Sequence, residues 1–554
     1  MRLAGFTLAM AGIFAGNALG QAPTVNSDGT GVMNAISYKR EWAANYGVAR
    51  GSYFVVYGTN FASKKFFASL PLQTTLGGAS ISVTVNGTTT QALIDYVDPG
   101  QINAILPSAT PAGTGTFTVT TGAGASSASP IQVVDSAFGL ATWDYGAGPV
   151  LGFDASIDPK NQYVLFGCSS CPAVNPGDIL ELYGTGLGPV QGDATGVAVS
   201  PTAQVYIGGI LATVQYSGRT SAYIAEDQIN VVVPQGVSGC YVDVAVVTGS
   251  AVSNFGTLAI APKGSRTCSD TVTPFSAAIL NGIAQKGSYS VGLINLSKTT
   301  TPGILGIGGG TTEHGSADFF KYTAVNTAGY AGAYAFSSIG SCSVWSFTAS
   351  AASQTSPQPF VYTSLNAGPD VNISGSATLA MPLQTVSGFS SYNTPSSDTS
   401  FIPDTGGTFM FDNGSGGPDV KAFTATLQMA AALVWSNKSG ISTVTRSNGV
   451  KVSWTGGDSS TSVNITGLSV GSINGNATDF VASLFTCRAP TAAGTFTVSP
   501  AVLLSLPAST SIEGISISTL AVSNVSAPAS FTAKGLDAGW VSASVEDSIN
   551  VTYQ

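Results

Sequence analysis

Residues that could carry out catalysis are scarce in this sequence. The chain has 554 residues and a single histidine, His314. The segment Gly467-Leu-Ser469-Val-Gly471 has the spacing of a hydrolase nucleophile elbow, which needs a strand, a turn, a helix and a histidine base farther along the chain. Because His314 precedes the serine and no helical pattern follows Gly471, we interpret the segment as an ordinary turn.

Three segments carry groups that could hold a metal ion or a phosphate. Glu313, His314 and Asp318 could surround zinc, but catalytic zinc normally takes two or three imidazoles or thiolates, so a surface histidine is the favoured interpretation. Residues 412–419 present acidic and amide oxygens as a calcium loop does; they lack the EF-hand spacing, and a hairpin turn explains their Asn-Gly pair equally well. The glycines of residues 306–310 are similar to a phosphate-binding loop. No strand–helix unit surrounds them, so a phosphate site is not favoured. We therefore predict no catalytic residue, metal or cofactor, with calcium as the alternative at 412–419.

Acidic and aromatic side chains leave two further functions open. The 28 Asp and Glu residues are scattered, and glycosidase carboxylates pair in space rather than in sequence, so spacing neither finds nor excludes such a pair. Most aromatic rings are expected in the core, but an exposed row of them can stack on sugars or anchor a partner. The tryptophans considered for either role are Trp143, Trp345, Trp435, Trp454 and Trp540.

Charge is sparse along the whole chain. Only 8% of the residues are charged and the net charge is −9, whereas about 25% is typical of a soluble domain. Nucleic-acid binding needs clustered Lys and Arg, so nucleic acid is excluded as a partner. The 44% hydrophobic content is enough for several cores, and the length predicts three or four domains.

Residues 1–20 have the pattern of a secretory signal peptide. Arg2 precedes an apolar run from Leu3 to Phe14, and Ala18-Leu19-Gly20 supplies the small residues of a cleavage site. The apolar run is too short for a spanning helix, although a retained N-terminal anchor is the alternative. We therefore expect a secreted protein, in the periplasm, on the outer surface or released, that does not cross a membrane with helices after cleavage.

The six cysteines are expected to form disulfides, because export takes the chain to an oxidising compartment. Connectivity does not follow from spacing alone. The Cys-Ser-Ser-Cys segment could be a redox motif, but loop residues follow it where such motifs require a helix. The expected pairs are Cys240 with Cys268, Cys342 with Cys487, and Cys168 with Cys171.

Two motifs recur in the same order and indicate a duplicated domain. Tyr57-Gly58-Thr59 returns as Tyr183-Gly184-Thr185, and Gln101-Ile-Asn103 returns as Gln228-Ile-Asn230. The glutamine and asparagine amides are expected to hydrogen-bond neighbouring loop backbone, and the tyrosines to end a core strand before a turn. We interpret all of these landmark residues as structural.

The fold class follows from short, β-branched segments bounded by Gly, Pro and Asn. This pattern predicts an all-β chain with tandem immunoglobulin-like β-sandwiches at residues 21–140 and 141–266, followed by a larger β-sandwich region at residues 267–554. That last region is one or two sandwiches with a break near 395–405, and a Cys342–Cys487 disulfide would favour one unit.

The duplicated motifs carry a resemblance to a known family. Pro176-Gly177-Asp178, the Tyr-Gly-Thr turns and the Gln-Ile-Asn-x3-Pro segments resemble the Ig-like/TIG-type domain of an uncharacterised family of secreted acidobacterial proteins. Residues 267–554 resemble the β-rich region that accompanies that domain. The resemblance implies export and a β-sandwich fold, and it implies no activity.

Three functions of different classes remain. The leading hypothesis is a non-enzymatic protein of the cell envelope or extracellular space with an adhesive or structural role, whose partners are envelope components or extracellular polysaccharide. The alternative is a polysaccharide-binding protein that uses surface aromatic residues. An enzyme that cleaves glycosides or esters with scattered carboxylates is the third.

Overall fold

The structure is a computed structural model, and it confirms the all-β prediction. Among the described residues the only α-helix is Pro500–Leu504, with 3-10 turns at Gln191–Asp193, Lys438–Gly440, Arg446–Asn448 and Thr491–Ala493. The expected signal peptide, 1–20, and the Cys168–Cys171 pair lie outside the described residues. The structure describes residues 21–143, 145–156, 164–165, 173–269, 288–303, 309–324, 337–348, 360–386, 388–395, 400–473, 479–512 and 515–554.

The first unit is a sandwich of two six-stranded sheets. Strand Ser80–Val85 alternates half-buried and buried residues, which places Ile81 and Val83 in the core opposite Phe54 from the other sheet. One sheet contains Thr24–Val25, Val32–Asn34, Ser52–Thr59, Phe66–Phe67, Leu93–Val97 and Gln101–Leu106. The other contains Val48–Ala49, Ser80–Val85, Thr88–Gln91, Gly113–Thr121, Gly124–Ala125 and Ser129–Val134.

The second unit builds its core from a ten-stranded hydrogen-bonded network. A bulge between Val214 and Tyr216 lets one long strand pair with partners on two sides of the core. Its landmark strands repeat the register of the first unit, since Tyr57 lies opposite Gln101 and Tyr183 opposite Gln228. The strands are Gly139–Leu140, Leu151–Asp154, Val164–Leu165, Ile179–Thr185, Gln204–Ile207, Ile210–Arg219, Asp227–Val232, Gly239–Thr248, Ala251–Val252 and Gly256–Ile260.

The C-terminal region is organised around one 14-stranded sheet. Along its main path the strands are Cys342–Thr348, Phe480–Pro490, Ser462–Ser472, Thr519–Val525, Ala538–Asn550, Ser288–Thr301, Gly310–Ala324, Phe389–Asn393, Leu379–Val386, Asp370–Gly375, Gly407–Asp412 and Thr424–Met429. Phe360–Ser364 and Ala529–Phe531 pair at its sides. Smaller sheets join Leu433–Trp435 with Val450–Gly456 and Thr495–Val498, Thr443–Val444 with Thr552–Tyr553, and Ser511–Ile512 with Ile515–Ser516.

Two hydrophobic cores lie along this one sheet. The first core includes Phe319 and Phe409, and the second includes Val463 and Phe485. Ile402 is buried within the first core. The chain passes between the two cores more than once, since Cys342 belongs to the second core and Phe531 to the first. The two halves of the region are therefore joined by strand pairing.

Among the described residues two disulfides are formed, and both are pairs expected from the sequence. Cys240 is bonded to Cys268 and Cys342 to Cys487. Cys342 and Cys487 lie directly opposite each other on neighbouring strands and are buried in the second core. This bond therefore cross-links strands that are 145 residues apart in sequence.

Buried polar contacts fix the first unit to the second. Arg219 and Asp227 form an ion pair whose side chains are both fully buried. Arg219 Nη2 also donates to the backbone oxygens of Gly51, at 2.6 Å, and Gly188, at 2.7 Å. Because Gly51 belongs to the first unit, this guanidinium group bridges the two sandwiches.

Candidate functional site

A short segment lies where the three parts of the chain meet. Residues 36–42, here called the junction segment, follow strand Val32–Asn34 of the first unit. The buried Asn34 holds the start of the segment, because its Oδ1 accepts from the backbone N–H of Ile36 at 2.9 Å and of Ser37 at 3.0 Å. Its Nδ2 donates to the Ala137 oxygen of the second unit at 3.0 Å. The junction segment is therefore fixed relative to both sandwiches.

The first cleft along this segment is lined by tyrosines. It has a volume of about 430 Å³, and we call it the tyrosine cleft. Tyr38 meets Tyr145 edge-to-face, with ring centroids 5.8 Å apart and planes at 76°. Tyr145 is 68% exposed, and Tyr57 ends the strand Ser52–Thr59 beside them. Tyr57 therefore contributes a cleft wall as well as a strand end, which the sequence interpretation missed. Thr30, Met33 and Arg40 complete the lining.

Two of these tyrosines have strained backbones. The φ angle is 52° at Tyr38 and 49° at Tyr145, in the left-handed region that bulky residues rarely adopt. Such conformations cost of order 1–3 kcal/mol each and are concentrated at functional sites. Close packing maintains them here, because a Cβ atom on Gly146 would lie 2.5 Å from the Ser37 oxygen. The glycine next to Tyr145 thus lets the second unit approach the junction segment.

A second cleft of about 310 Å³ lies between the two repeats. Tyr183 lines it and packs edge-on against Phe153, at a centroid distance of 5.7 Å. Thr185 donates to the Ala225 oxygen at 2.6 Å and accepts from the Tyr53 N–H of the first unit at 2.9 Å. The landmark residues Tyr183, Gly184 and Thr185 therefore form an inter-unit cleft, which the strand-end interpretation missed. The full lining is Ile36, Tyr53, Ala141, Tyr183, Gly184, Thr185, Tyr223 and Glu226.

Tyr38, Tyr53 and Tyr57 are neutral at physiological pH. Burial is the main cause that raises the pKa of Tyr38 and of Tyr53 to about 12. Burial also raises the pKa of Tyr57. A neutral phenol combines an apolar ring face with a hydroxyl group that can donate and accept. These clefts therefore suit a ligand that is itself both polar and ring-shaped.

A third cleft of about 500 Å³ lies on the other side of the junction segment. We call it the tryptophan cleft, because Trp42 and Trp345 line it. Tyr38 and Arg40 line both this cleft and the tyrosine cleft, so the two adjoin. The sequence analysis did not single out Trp42. The only signal for a role in this cleft was that the residue is a tryptophan, because Trp345, which lines the same cleft, is distant in sequence.

In each Gln-Ile-Asn landmark the two amide side chains hydrogen-bond to each other. Gln101 Nε2 donates to Asn103 Oδ1 at 2.8 Å, and Gln228 Nε2 donates to Asn230 Oδ1 at the same distance. The strand alternation that separates each glutamine from its asparagine by two residues places both amides on one face. These amides therefore pair with each other on the sheet surface.

The Gly-x-Ser-x-Gly segment is not a turn, which corrects the sequence interpretation. Ser469 is buried within strand Ser462–Ser472, and its Oγ donates to the Pro507 oxygen at 2.8 Å. A Cβ atom on Gly467 would lie 2.2 Å from the Phe485 ring. The glycine is thus required by core packing rather than by a nucleophile elbow.

The proposed metal ligands have other partners. His314 is exposed on strand Gly310–Ala324, whereas Glu313 accepts from Lys298 at 3.1 Å and from the Ile402 N–H at 2.6 Å. In the 412–419 loop, Asp412 accepts from the Gly414 N–H at 2.9 Å, which is the geometry of a turn. Within the described part of the chain, no group of three or more His, Cys, Asp or Glu residues could hold a metal ion.

The tryptophans divide between core and surface. Trp435 and Trp454 belong to the second core of the C-terminal region. Trp143 is 60% and Trp345 37% exposed, and Trp540 is half-buried. The exposed Trp143 lies two residues from Tyr145 in sequence and does not line the clefts described above.

A larger cleft of about 1570 Å³ lies between the two cores of the C-terminal sheet. It gathers carboxylates from distant strands, but ion pairs engage three of them. Lys298 contacts Glu313 at 3.1 Å and Asp404 at 2.7 Å, and Lys438 contacts Asp547 at 2.5 Å. Burial raises the pKa of the remaining carboxyl, Glu546. The other three carboxyl groups of the cleft are therefore held by lysine side chains.

No family model and no curated protein matches this chain. Among solved structures it is similar to SGBP-B of the Bacteroides ovatus mixed-linkage glucan utilization locus, in complex with a heptasaccharide, at 12% identity and TM-score 0.19 over 48% of this chain and 62% of that one. It is similar to SGBP-B of a Bacteroides uniformis xyloglucan utilization locus at 8% identity and TM-score 0.15 over 86% of this chain and 96% of that one. The I9–I11 tandem from titin matches at 7% identity and TM-score 0.13, over 68% and 92%.

These similarities concern the β-rich architecture alone. The chain covers less than two thirds of the length of the first of these structures. The TM-scores are too low to transfer any site to this chain, so the clefts are judged by their own residues. In the described residues, no helix is long and apolar enough to cross a membrane.

Proposed function

We propose that this protein is a non-enzymatic binding protein of the cell envelope or extracellular space. It holds a polysaccharide in the tyrosine cleft and in the cleft between the two repeats. The observation that carries the proposal is the tyrosine cleft itself, where Tyr38, Tyr57 and Tyr145 surround one concave space. Two disulfides and the apolar leader of residues 1–20 support an oxidising location outside the cytoplasm.

The chemistry of the clefts matches that of a sugar polymer. A pyranose ring has an apolar C–H face and a rim of hydroxyl groups, and a neutral tyrosine offers an apolar face and one hydroxyl group. Stacking gives contact area while the hydroxyl groups fix orientation. Since Tyr38 and Tyr53 have pKa values raised to about 12, this complementarity holds across the physiological range.

Rigidity supports the same proposal. The clefts lie at unit junctions that are held by the buried Arg219–Asp227 pair and by the hydrogen bonds of Asn34 and Thr185. A cleft whose walls are already fixed loses less conformational entropy when a ligand binds. The duplicated units thus supply two walls of a preformed site.

Affinity electrophoresis and pull-down of the purified protein test this function. The panel contains soluble neutral glucans, insoluble polysaccharides, polyuronates and the envelope of the producing cell. We expect at least one defined glycan to bind, and Tyr145→Asn together with Tyr223→Asn to weaken that binding about tenfold or more. Phe67→Ala is the matched control, because Phe67 is an aromatic residue that is 76% exposed and does not line the clefts.

Failure has a defined meaning. If Phe67→Ala reduces glycan binding as much as the tyrosine variants do, the binding site does not lie in these clefts. Retention on envelope but on no defined glycan would leave an adhesive or structural spacer, a role that the fixed unit junctions would also serve. Turnover of a glycoside or ester panel would contradict the non-enzymatic assignment.

A further inference from the structure

The tryptophan cleft joins all three parts of the chain around two cations. Lys39, Arg40 and Trp42 come from the first unit, Phe255 from the second and Trp345 from the C-terminal region. The enclosed volume of about 500 Å³ is large enough for a sugar residue. The ligand chemistry can therefore be inferred from the groups that face this space.

Lys39 is a half-buried cation that has no carboxylate partner among the described residues. Its Nζ donates to the backbone oxygen of Val252. Burial is the cause that lowers its pKa to about 8. A charged group removed from water is costly unless an opposite charge is placed against it. An anion in the cleft would supply that charge.

Arg40 adds a second cation at the boundary between the two clefts. It lines both the tyrosine and the tryptophan cleft. Within the described residues Arg40 forms no ion pair. Its charge makes a minor contribution to the lowered pKa of Asp28. A guanidinium group binds a carboxylate through two parallel hydrogen bonds when geometry allows. Adjacent Lys39 and Arg40 therefore offer a point charge and a planar donor to one anion.

One carboxylate lines the same cleft but is already engaged. Asp243 Oδ1 accepts from the backbone N–H of Cys342 at 2.9 Å. Burial raises the pKa of Asp243 to about 6. Its role is therefore to hold the C-terminal region against the second unit, and it does not neutralise Lys39.

We infer that the tryptophan cleft binds a carboxylate-bearing sugar residue, such as a uronate, of the polymer held in the tyrosine cleft. Trp42 and Trp345 provide ring faces for the sugar, and Lys39 and Arg40 receive its carboxylate. Because Tyr38 and Arg40 line both clefts, one chain of linked sugars can pass from one cleft to the other. This inference rests on the proposed function and narrows it to acidic polysaccharides.

Calorimetric titration of the full chain distinguishes the ligand sources. The ligands are a polygalacturonate oligomer, the same oligomer with its carboxyl groups methyl-esterified, a neutral glucan oligomer, and inorganic sulfate. We expect the acidic oligomer to bind about tenfold or more tightly than its ester, because charge-assisted hydrogen bonds are lost on esterification. Sulfate alone should bind weakly, since it has no ring to stack on the tryptophans.

Substitutions at Lys39 and Arg40 test whether these residues cause the preference for the acidic oligomer. Lys39→Met and Arg40→Gln should each remove the preference for the acid over the ester, while Lys39→Arg should keep it. Lys64→Met is the charge-matched control, because Lys64 lies near the Phe66 ring and does not line either cleft. Circular dichroism of each variant monitors folding, and Lys39→Arg keeps the inference testable if Lys39→Met does not fold.

The outcomes separate this inference from the proposed function. Equal binding of the acid and the ester, or an unchanged preference in Lys39→Met, would overturn the acidic ligand while leaving a neutral glycan-binding protein. If sulfate binds as tightly as the acidic oligomer, the cleft binds anions in general and does not recognise a sugar residue. Failure of every oligomer to bind would overturn both proposals.

Discussion

Tyr38 and Tyr145 come from different units, and their rings meet edge-to-face at a centroid distance of 5.8 Å. Both have positive φ angles, of 52° and 49°. Packing of the second unit against the junction segment holds two unfavourable backbone conformations in one place. The Tyr38–Tyr145 pair therefore marks a surface whose backbone conformations lower the stability of the fold. We expect the polysaccharide to bind at this surface.

The first prediction separates stability from binding at this pair. Tyr145→Asn removes an exposed ring but keeps a residue that tolerates the left-handed region. We expect the free energy of unfolding to stay equal or to rise by up to about 1 kcal/mol, because strain is relieved. Glycan affinity should fall about tenfold. Denaturant unfolding and affinity electrophoresis measure the two quantities, and a large loss of stability would argue that Tyr145 is a structural residue.

The second prediction concerns the buried Arg219–Asp227 pair. Arg219→Met leaves the Asp227 carboxylate buried without its cation and removes the donor to Gly51. We expect a loss of about 3–5 kcal/mol in the free energy of unfolding. The double variant Arg219→Met/Asp227→Asn should recover part of this loss, since the asparagine oxygen can still accept from the Leu187 N–H. A double-mutant cycle by urea unfolding measures the coupling, and additive losses would contradict it.

The third prediction compares the two disulfides. Replacing Cys342 and Cys487 with serine opens a link between residues 145 apart, whereas the Cys240–Cys268 link spans 28. The longer link restricts the unfolded chain more, so its removal should cost about 1–2 kcal/mol more than removal of the shorter one. Equilibrium unfolding of the two double-serine variants gives the comparison. An equal or reversed order would show that native packing around the bonds dominates.

The fourth prediction concerns Ser469. Ser469→Ala leaves the Pro507 oxygen without its buried donor, so the free energy of unfolding should fall by about 1 kcal/mol. Turnover of ester substrates should be the same in both proteins. Loss of an ester activity in the variant would restore a nucleophilic role to this serine, and Ser472→Ala at the end of the same strand serves as control.

The fifth prediction is a pH dependence of acidic-glycan binding. Lys39 has a pKa lowered to about 8 and is charged below that value, so affinity should fall as the pH rises from about 7 to about 9.5. Tyr38, with a pKa raised to about 12, stays neutral over this range, and Arg40 and Tyr241 also face the cleft. Protonation of Asp243 below a pKa of about 6 removes a negative charge and should strengthen binding.

Titration calorimetry across this pH series provides the measurement. Lys39→Arg should bind equally well at both ends of the alkaline range, because its guanidinium group does not titrate there. The same alkaline loss in that variant would assign the titration to a group other than Lys39.

Local patterns were enough to predict the architecture. The alternation of Ser80–Val85 and the recurrence of Tyr-Gly-Thr indicate strands and a duplication without any knowledge of distant contacts. The two disulfides of the described residues were also expected, because the sequence has an even number of cysteines. In each case the signal lies in neighbouring residues, because side-chain period and turn chemistry are local properties.

Only the tertiary structure decided where binding could occur. Tyr145 reaches Tyr38, and Trp345 and Trp42 come to line one cleft, only after separate units have packed together. The parallel pairing of Ser288–Thr301 with Ala538–Asn550 likewise joins distant segments and sets two cores on one sheet. Such contacts depend on the register and docking of whole sandwiches, which hydrophobic alternation within one strand does not encode.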